Sequence, residues 1–241
     1  MLHNIRGIVL HSTPYNDRHC ITLVYTEQFG SMSYLTPRYT KQSKKIPRAL
    51  FHPLSALEMT AVHYHNRDIH RIKEARSLLP LISLSGNPVK SAVSFFIAEV
   101  IMKTVREEAS NRWLFDYILQ SVTILEQSTR PVTNFHIAFL FGLCRHLGFE
   151  PNTSEYRDGD FFDLTAGCYT VIRPSHPHCL NAGSSRILYR LSRISYRNMH
   201  VFRFSGSERT AVVHHILSYY RLHLYPFITV KSLEVLHSVF S

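Results

Sequence analysis

The hydrophobic period changes once along this chain, and that change limits its fold more than any single motif. Through about residue 80, apolar and β-branched residues come in short alternating runs. From Pro88 they recur at i, i+3 and i+4. Strands gathered in one block and helices in the next define an α+β chain. The first block holds "RGIVLHS" (6–12) and "HCITLVYTE" (19–27), the latter with Ile21, Leu23 and Tyr25 on one face. "MSYLT" (32–36), "LSALEMTAVHY" (54–64) and "IHRIKEA" (69–75) follow. Turn chemistry at Pro14-Tyr15-Asn16-Asp17 and at Phe29-Gly30-Ser31 separates the first three. Five short strands with tight turns predict a small barrel or sandwich over 1–80.

The second block, 81–241, reads as a helical domain. Val89, Ala92, Val93, Phe96, Ile97, Val100, Ile101 and Val105 form an apolar stripe over 88–108, opened by Asn87 as N-cap and Pro88 at the first helical position. Further helices are predicted over 111–127, capped by Asn111, and over 133–147, ended by Gly148. Phe135, Phe139 and Phe141 read as core. Helical pattern returns at 183–195, 207–224 and 230–240. Between them, 149–182 is rich in Pro, Gly, Asn and Asp, and reads as an irregular insert with room for a hairpin.

Charge is the second constraint. The chain has 241 residues, with 27 Lys or Arg against 17 Asp or Glu, a formal net charge of +10. Such an excess suits a polyanionic partner: nucleic acid, an anionic membrane face or an acidic protein tail. It is concentrated in "TPRYTKQSKKIPRALF" (36–51), which has five cations and no carboxylate; no Asp or Glu occurs between Glu27 and Glu58. The segment joins the third and fourth predicted strands. Barrels of the oligonucleotide-binding type combine a basic groove with aromatic rings on which bases stack. Arg38, Lys41, Lys44, Lys45 and Arg48 are therefore candidate phosphate contacts, and Tyr34 and Tyr39 candidate stacking rings. Lys and Arg on a loop position a strand without reading its sequence. The competing reading is a solvated basic connector.

No catalytic constellation emerges. The sequence lacks a Gly-x-Ser-x-Gly elbow, a Gly-x-x-x-x-Gly-Lys loop and a Gly-x-Gly-x-x-Gly turn. His63 and His65 would share a strand face, with Asp68 nearby as a third metal ligand; half-exposed side chains at a strand end are the alternative. Adjacent His214 and His215 diverge on a helix. Arg186, Arg190 and Arg193, spaced by four and three, share a face if their helix is continuous, and with Arg197 would meet DNA or an acidic partner tail. Four cysteines without a Cys-x-x-Cys pair, no secretory signal pattern and no 18-residue apolar run predict a reduced, cytoplasmic protein without a membrane span, and DNA as partner would make it nucleoid-associated.

The ordered motifs resemble the RecO family of bacterial recombination mediators and DNA-annealing proteins. The likeness lies in "GIVL", the Pro-Tyr turn, "TLVYTEQFG" with its Thr-Glu-x-x-Gly ending, the basic loop and "ALFHPLSALEMT". It continues with "LCRHLGFEPN" and the terminal "VKSLEVLHSVF". The resemblance implies an oligonucleotide-binding barrel followed by a helical domain. It implies binding of single- and double-stranded DNA and annealing of complementary strands. Its implied partners are RecR and the C-terminal tail of the single-stranded-DNA-binding protein, with RecA loaded indirectly, and it implies no cofactor. Some members carry a four-cysteine zinc module in the insert. Here only Cys168 and Cys179 remain, with His176 and His178, and His-x-His-Cys crowds three ligands into four positions. The resemblance thus implies a non-enzymatic DNA repair mediator, and no bound metal is expected, Cys168, His176, His178 and Cys179 being the only Cys and His candidate ligands in the insert. The alternative is an interaction scaffold for acidic protein tails that meets DNA incidentally.

Overall fold

The computed structural model describes residues 1–38, 46–105, 109–224 and 229–240. By internal packing it divides into two compact units, 1–127 and 128–241.

The first unit is built on a closed barrel of five strands. These are β1 (Leu2–Pro14), β2 (His19–Thr26), β3 (Gly30–Pro37), β4 (Ala56–Val62) and β5 (Ile69–Ser77), ordered β1-β2-β3-β5-β4. β1 is long enough to serve two neighbours. Its Leu2–Ile8 half pairs antiparallel with β4, and Gly7–Pro14 pairs with β2. A register shift between Val9 and His11 lets it bend from one to the other. β3 closes the ring by pairing parallel to β5, Tyr34 opposite His70.

The segment before β4 seals this bend. Val9 donates its N–H to Ser55 O (2.9 Å), and Leu54 donates its N–H to Val9 O (2.8 Å). Leu54 takes φ 65°, a left-handed conformation that costs a non-glycine residue about 1 kcal/mol or more. Its side chain is buried, and the two bonds hold the backbone in place. One turn upstream, a single 3-10 turn (Arg48–Phe51) follows Pro47 and drives Phe51 into the barrel core beside Ile5, Val9, Val24, Leu57, Met59 and Ile72.

The inward face of β2 is not its more apolar one. Cys20, Thr22, Val24 and Thr26 are buried, while Ile21 and Leu23 are half-exposed. The interior hydroxyls satisfy one another: Thr22 Oγ1 lies 2.8 Å from both Ser12 Oγ and Thr36 Oγ1. Tyr25 is buried as well, with its ring beside Phe115 and its hydroxyl donating to Asn111 O at 3.3 Å.

Three helices complete this unit: α1 (Ile82–Gly86), α2 (Pro88–Thr104) and α3 (Arg112–Gln127). Asn87 Oδ1 accepts from the N–H groups of Val89 and Lys90, as its capping position predicts, and Asn111 Oδ1 accepts from Leu114 N. α2 ends at Thr104, short of the predicted 108. Glu126 on α3 accepts from the N–H groups of Ser83 and Leu84 and so caps α1. Glu27, at the end of β2, forms a two-point ion pair with Arg6 of β1.

The second unit contains α4 (Phe135–His146), α5 (Ala182–Leu191), α6 (Gly206–His223) and α7 (Ser232–Phe240). Gly148 has φ 80°, as a residue just past a helix end should. The insert is more regular than the sequence suggests. β6 (Phe161–Asp163) lies between β7 (Cys168–Thr170) and β8 (Cys179–Leu180) in a three-stranded sheet. Tyr219 and Tyr220 of α6 donate to Phe149 O (3.0 Å) and Leu140 O (2.7 Å), and a Ser205–Glu208 capping box opens that helix. No described helix is long and apolar enough to cross a membrane.

Gly7 lies where β1 crosses from one neighbour to the other. A Cβ there would fall 2.5 Å from Val24 Cγ1 and 3.3 Å from Met59 Cε, both in the barrel core. Gly7→Ala is expected to destabilise the protein by about 1–3 kcal/mol, read as a lower urea midpoint.

Candidate nucleic-acid interface

One mouth of the barrel opens into a groove of about 440 Å³. Arg38 and Arg48 line it with His11, His52 and Phe95, and no described residue lining it is acidic. The chain positions the two arginines differently. β3 ends at Pro37, and Arg38 is tied to the β1–β2 turn: its N–H donates to Arg18 O (2.9 Å) and its guanidinium to Asn16 O (3.2 Å). Asn16 organises that turn, its Oδ1 accepting from the N–H groups of Arg18 and His19. Arg48 is exposed at the start of the 3-10 turn whose far end, Phe51, is anchored in the core. A rigid interior thus carries a cationic rim.

Of the residues predicted from sequence to meet DNA, Arg38 and Arg48 share this groove. Tyr39, Lys41, Lys44 and Lys45 lie outside the described residues. Tyr34 requires a correction. The two-residue period of β3 turns it inward, where it is fully buried and its hydroxyl lies 2.9 Å from His63 Nε2. Burial raises its pKa, and no face of the ring is open to a base. The sequence reading passed over Arg18, exposed at the β1–β2 turn, and Arg67, whose guanidinium lies 5.0 Å from the Tyr64 ring in the β4–β5 connection. It also passed over Phe95. That ring falls outside the apolar stripe of α2, and its off-stripe position was the available signal.

The His63–His65 pair does not form a shared face. β4 stops at Val62; His65 is exposed, while His63 turns into the opposite end of the barrel. There its ring stacks 4.4 Å from His70, with His3 at 5.1 Å and Phe29 at 4.6 Å. Burial, then the neighbouring His70, His3 and the amino terminus, lower the His63 pKa to about 4; burial also lowers that of His70.

In the insert, Cys168 and Cys179 stand on either side of the central strand, both in register with Asp163. Two strand spacings separate them, about 10 Å, too far for ligands of one tetrahedral ion. His176 Nε2 instead lies 3.2 Å from Asp163 Oδ2, and among the described residues no three His, Cys, Asp or Glu side chains are arranged to hold a metal.

The arginine row is also corrected. α5 stops at Leu191, so Arg186 and Arg190 share a helical face while Arg193 and Arg197 lie in the following turns. Asn198 supplies the reason: its side-chain amide donates to Arg193 O (2.8 Å) and its Oδ1 accepts from Ser195 N (2.7 Å), which diverts the chain. All four arginines are exposed, and Arg193 rests on the Tyr189 ring at 5.2 Å. Elsewhere in this unit, a groove of about 590 Å³ is lined by His136, Arg209, Val213, Leu236 and Phe240.

A closed five-stranded barrel with a parallel β3–β5 closure, followed by a helical region, defines a protein with an OB-like barrel and a helical C-terminal part. Residues 1–80 match the family described as Recombination protein O N terminal, and residues 85–234 match Recombination protein O C terminal. The chain therefore belongs to the RecO family. It is 42% identical over 240 residues to the DNA repair protein RecO of Azobacteroides pseudotrichonymphae, with all of both chains covered. It is 39% identical over 241 residues to that of Phocaeicola vulgatus, again over all of both chains. The corresponding protein of Porphyromonas gingivalis strain W83 is 37% identical over 243 residues, covering 98% of each chain.

The histidine end predicts a pH dependence. Folding holds His63 neutral, whereas the unfolded chain takes up a proton near pH 6.5, so the unfolded state binds more protons between about 6.5 and 4. This contribution is fully present above pH 6.5 and declines as pH falls toward 4. The melting temperature is expected to drop between pH 7 and pH 5, and to drop less in His63→Phe. Equal drops in the two proteins would remove His63 as the cause.

Proposed function

We propose that this protein acts in DNA repair and homologous recombination by binding single- and double-stranded DNA and annealing complementary strands. The observation that carries this reading is the barrel-mouth groove, with Arg38 and Arg48 on its lining and no described carboxylate among them. Family membership supports it: the relatives above are named DNA repair proteins. Annealing needs no acid, base or nucleophile. Cations reduce the repulsion between two phosphate backbones, and base pairing supplies the specificity. With RecR as partner, the same binding would help load RecA onto strands coated by single-stranded-DNA-binding protein.

A mediator of this kind must also engage the coating protein. The helical unit has features suited to an acidic, apolar C-terminal tail. The groove near α6 and α7 pairs an apolar lining of Val213, Leu236 and Phe240 with the guanidinium of Arg209. Arg186, Arg190, Arg193 and Arg197 form a second exposed basic surface, for the same tail or for DNA. The scaffold alternative, with DNA incidental, is separated by salt titration. A phosphate-bound complex weakens steeply with salt, whereas a tail complex seated on apolar surface weakens less.

Exchange of Lys41, Lys44, Lys45 and Arg48 for Glu tests the rim. Single-strand binding and annealing are expected to fall by at least tenfold near 0.1 M salt. If all five segment cations contact phosphates, the parent shows a log–log salt slope of about −3.5, and the variant a shallower one. Undiminished binding and annealing would remove the segment from the interface.

A further inference from the structure

We propose that Phe95 is the base-stacking residue of the barrel-mouth groove and that it selects an unpaired base over a duplex. The inference rests on the DNA-binding reading and adds a discrimination which that reading does not contain.

α2 is otherwise one of the most buried elements of the first unit: Ala92, Val93, Phe96, Ile97, Val100 and Ile101 are all 5% exposed or less. Phe95 is 48% exposed and lines the groove with Arg38 and Arg48. A half-exposed phenyl ring alone is ordinary. This one shares its groove with two arginines and with Pro37 and Pro53, and no described carboxylate is on the lining. An aromatic ring that shares a groove with cations is the pairing that single-strand sites use, the ring taking a base and the cations its flanking phosphates. A groove of about 440 Å³ falls within the range of sites for one small ligand.

The geometry separates the two forms of DNA. In a duplex each base has both faces covered by its neighbours, and only its edges reach the grooves. A duplex can therefore meet Arg38 and Arg48 through its backbone, but away from its ends it cannot place a base face on Phe95 without unstacking. A single strand can do both. Every base has a π-face, so the contact discriminates strand form and not sequence.

The full-length protein and its Phe95→Ala and Phe95→Trp variants are titrated at equal salt with a labelled oligothymidine and with a covalently closed circular duplex, which has no open ends. Loss of one aromatic–base stack is expected to weaken single-strand binding about tenfold in Phe95→Ala. Duplex binding should change less than twofold, and Phe95→Trp should retain single-strand affinity. A strand carrying 2-aminopurine should be quenched by the parent and not by Phe95→Ala. Thermal melting reports whether the exposed substitution leaves the fold intact. Equal losses on both forms of DNA, or no loss on the single strand, would overturn the proposal while leaving DNA binding in place. A parent that binds neither form would overturn both readings.

Discussion

Strand β1 hydrogen-bonds to two partners in succession, and the barrel depends on that division. Its first half belongs to β4 and its second to β2, with the turnover at Gly7 and Ile8. The bend demands room at Gly7, where Val24 and Met59 leave no space for a side chain, and a register shift just beyond it. The opened backbone at Val9 is then satisfied from outside the strand by Leu54 and Ser55. Leu54 holds a left-handed conformation to make that contact. The same segment includes the 3-10 turn with Arg48 at its start, so the geometry that closes the barrel also places a cation at its mouth.

The two ends of the barrel handle charge in opposite ways. At the groove end, Arg38 and Arg48 share a lining with no described carboxylate. At the other end, His3, His63 and His70 crowd together with Phe29 and Tyr34, and burial holds His63 neutral. Arginines thus line one aperture, while at the other the imidazoles crowd beside the amino terminus, which donates to His63 O at 2.7 Å.

Much of this was legible in the sequence, and the failures have physical causes. Asn87-Pro88, Asn111 and Gly148 marked helix boundaries because capping is local chemistry. Tyr34 was misread because alternation gives two faces without saying which turns inward. On β2 the more apolar face, Ile21, Leu23 and Tyr25, points out of the barrel, where Tyr25 is buried beside Phe115. The inward face of β2 carries Thr22 and Thr26, and Thr22 bonds across to Thr36 of β3. The strands of the insert span two or three residues each, too few for any period to register. The early stop of α5 depends on Asn198, seven residues beyond its end, and has no Gly or Pro to announce it.

Closure of the ring restricts how this barrel can recognise anything. An open sheet can enlist an extended peptide or a second subunit as one more strand, using main-chain hydrogen bonds that ignore side-chain identity. Here β3 already holds β5, and every strand has two neighbours. Except at the ends of the three-pair β3–β5 contact, recruitment by strand addition is therefore foreclosed at the barrel. Whatever binds there must be read by side chains, so specificity can drift through substitutions at the rim without disturbing the backbone ladder beneath.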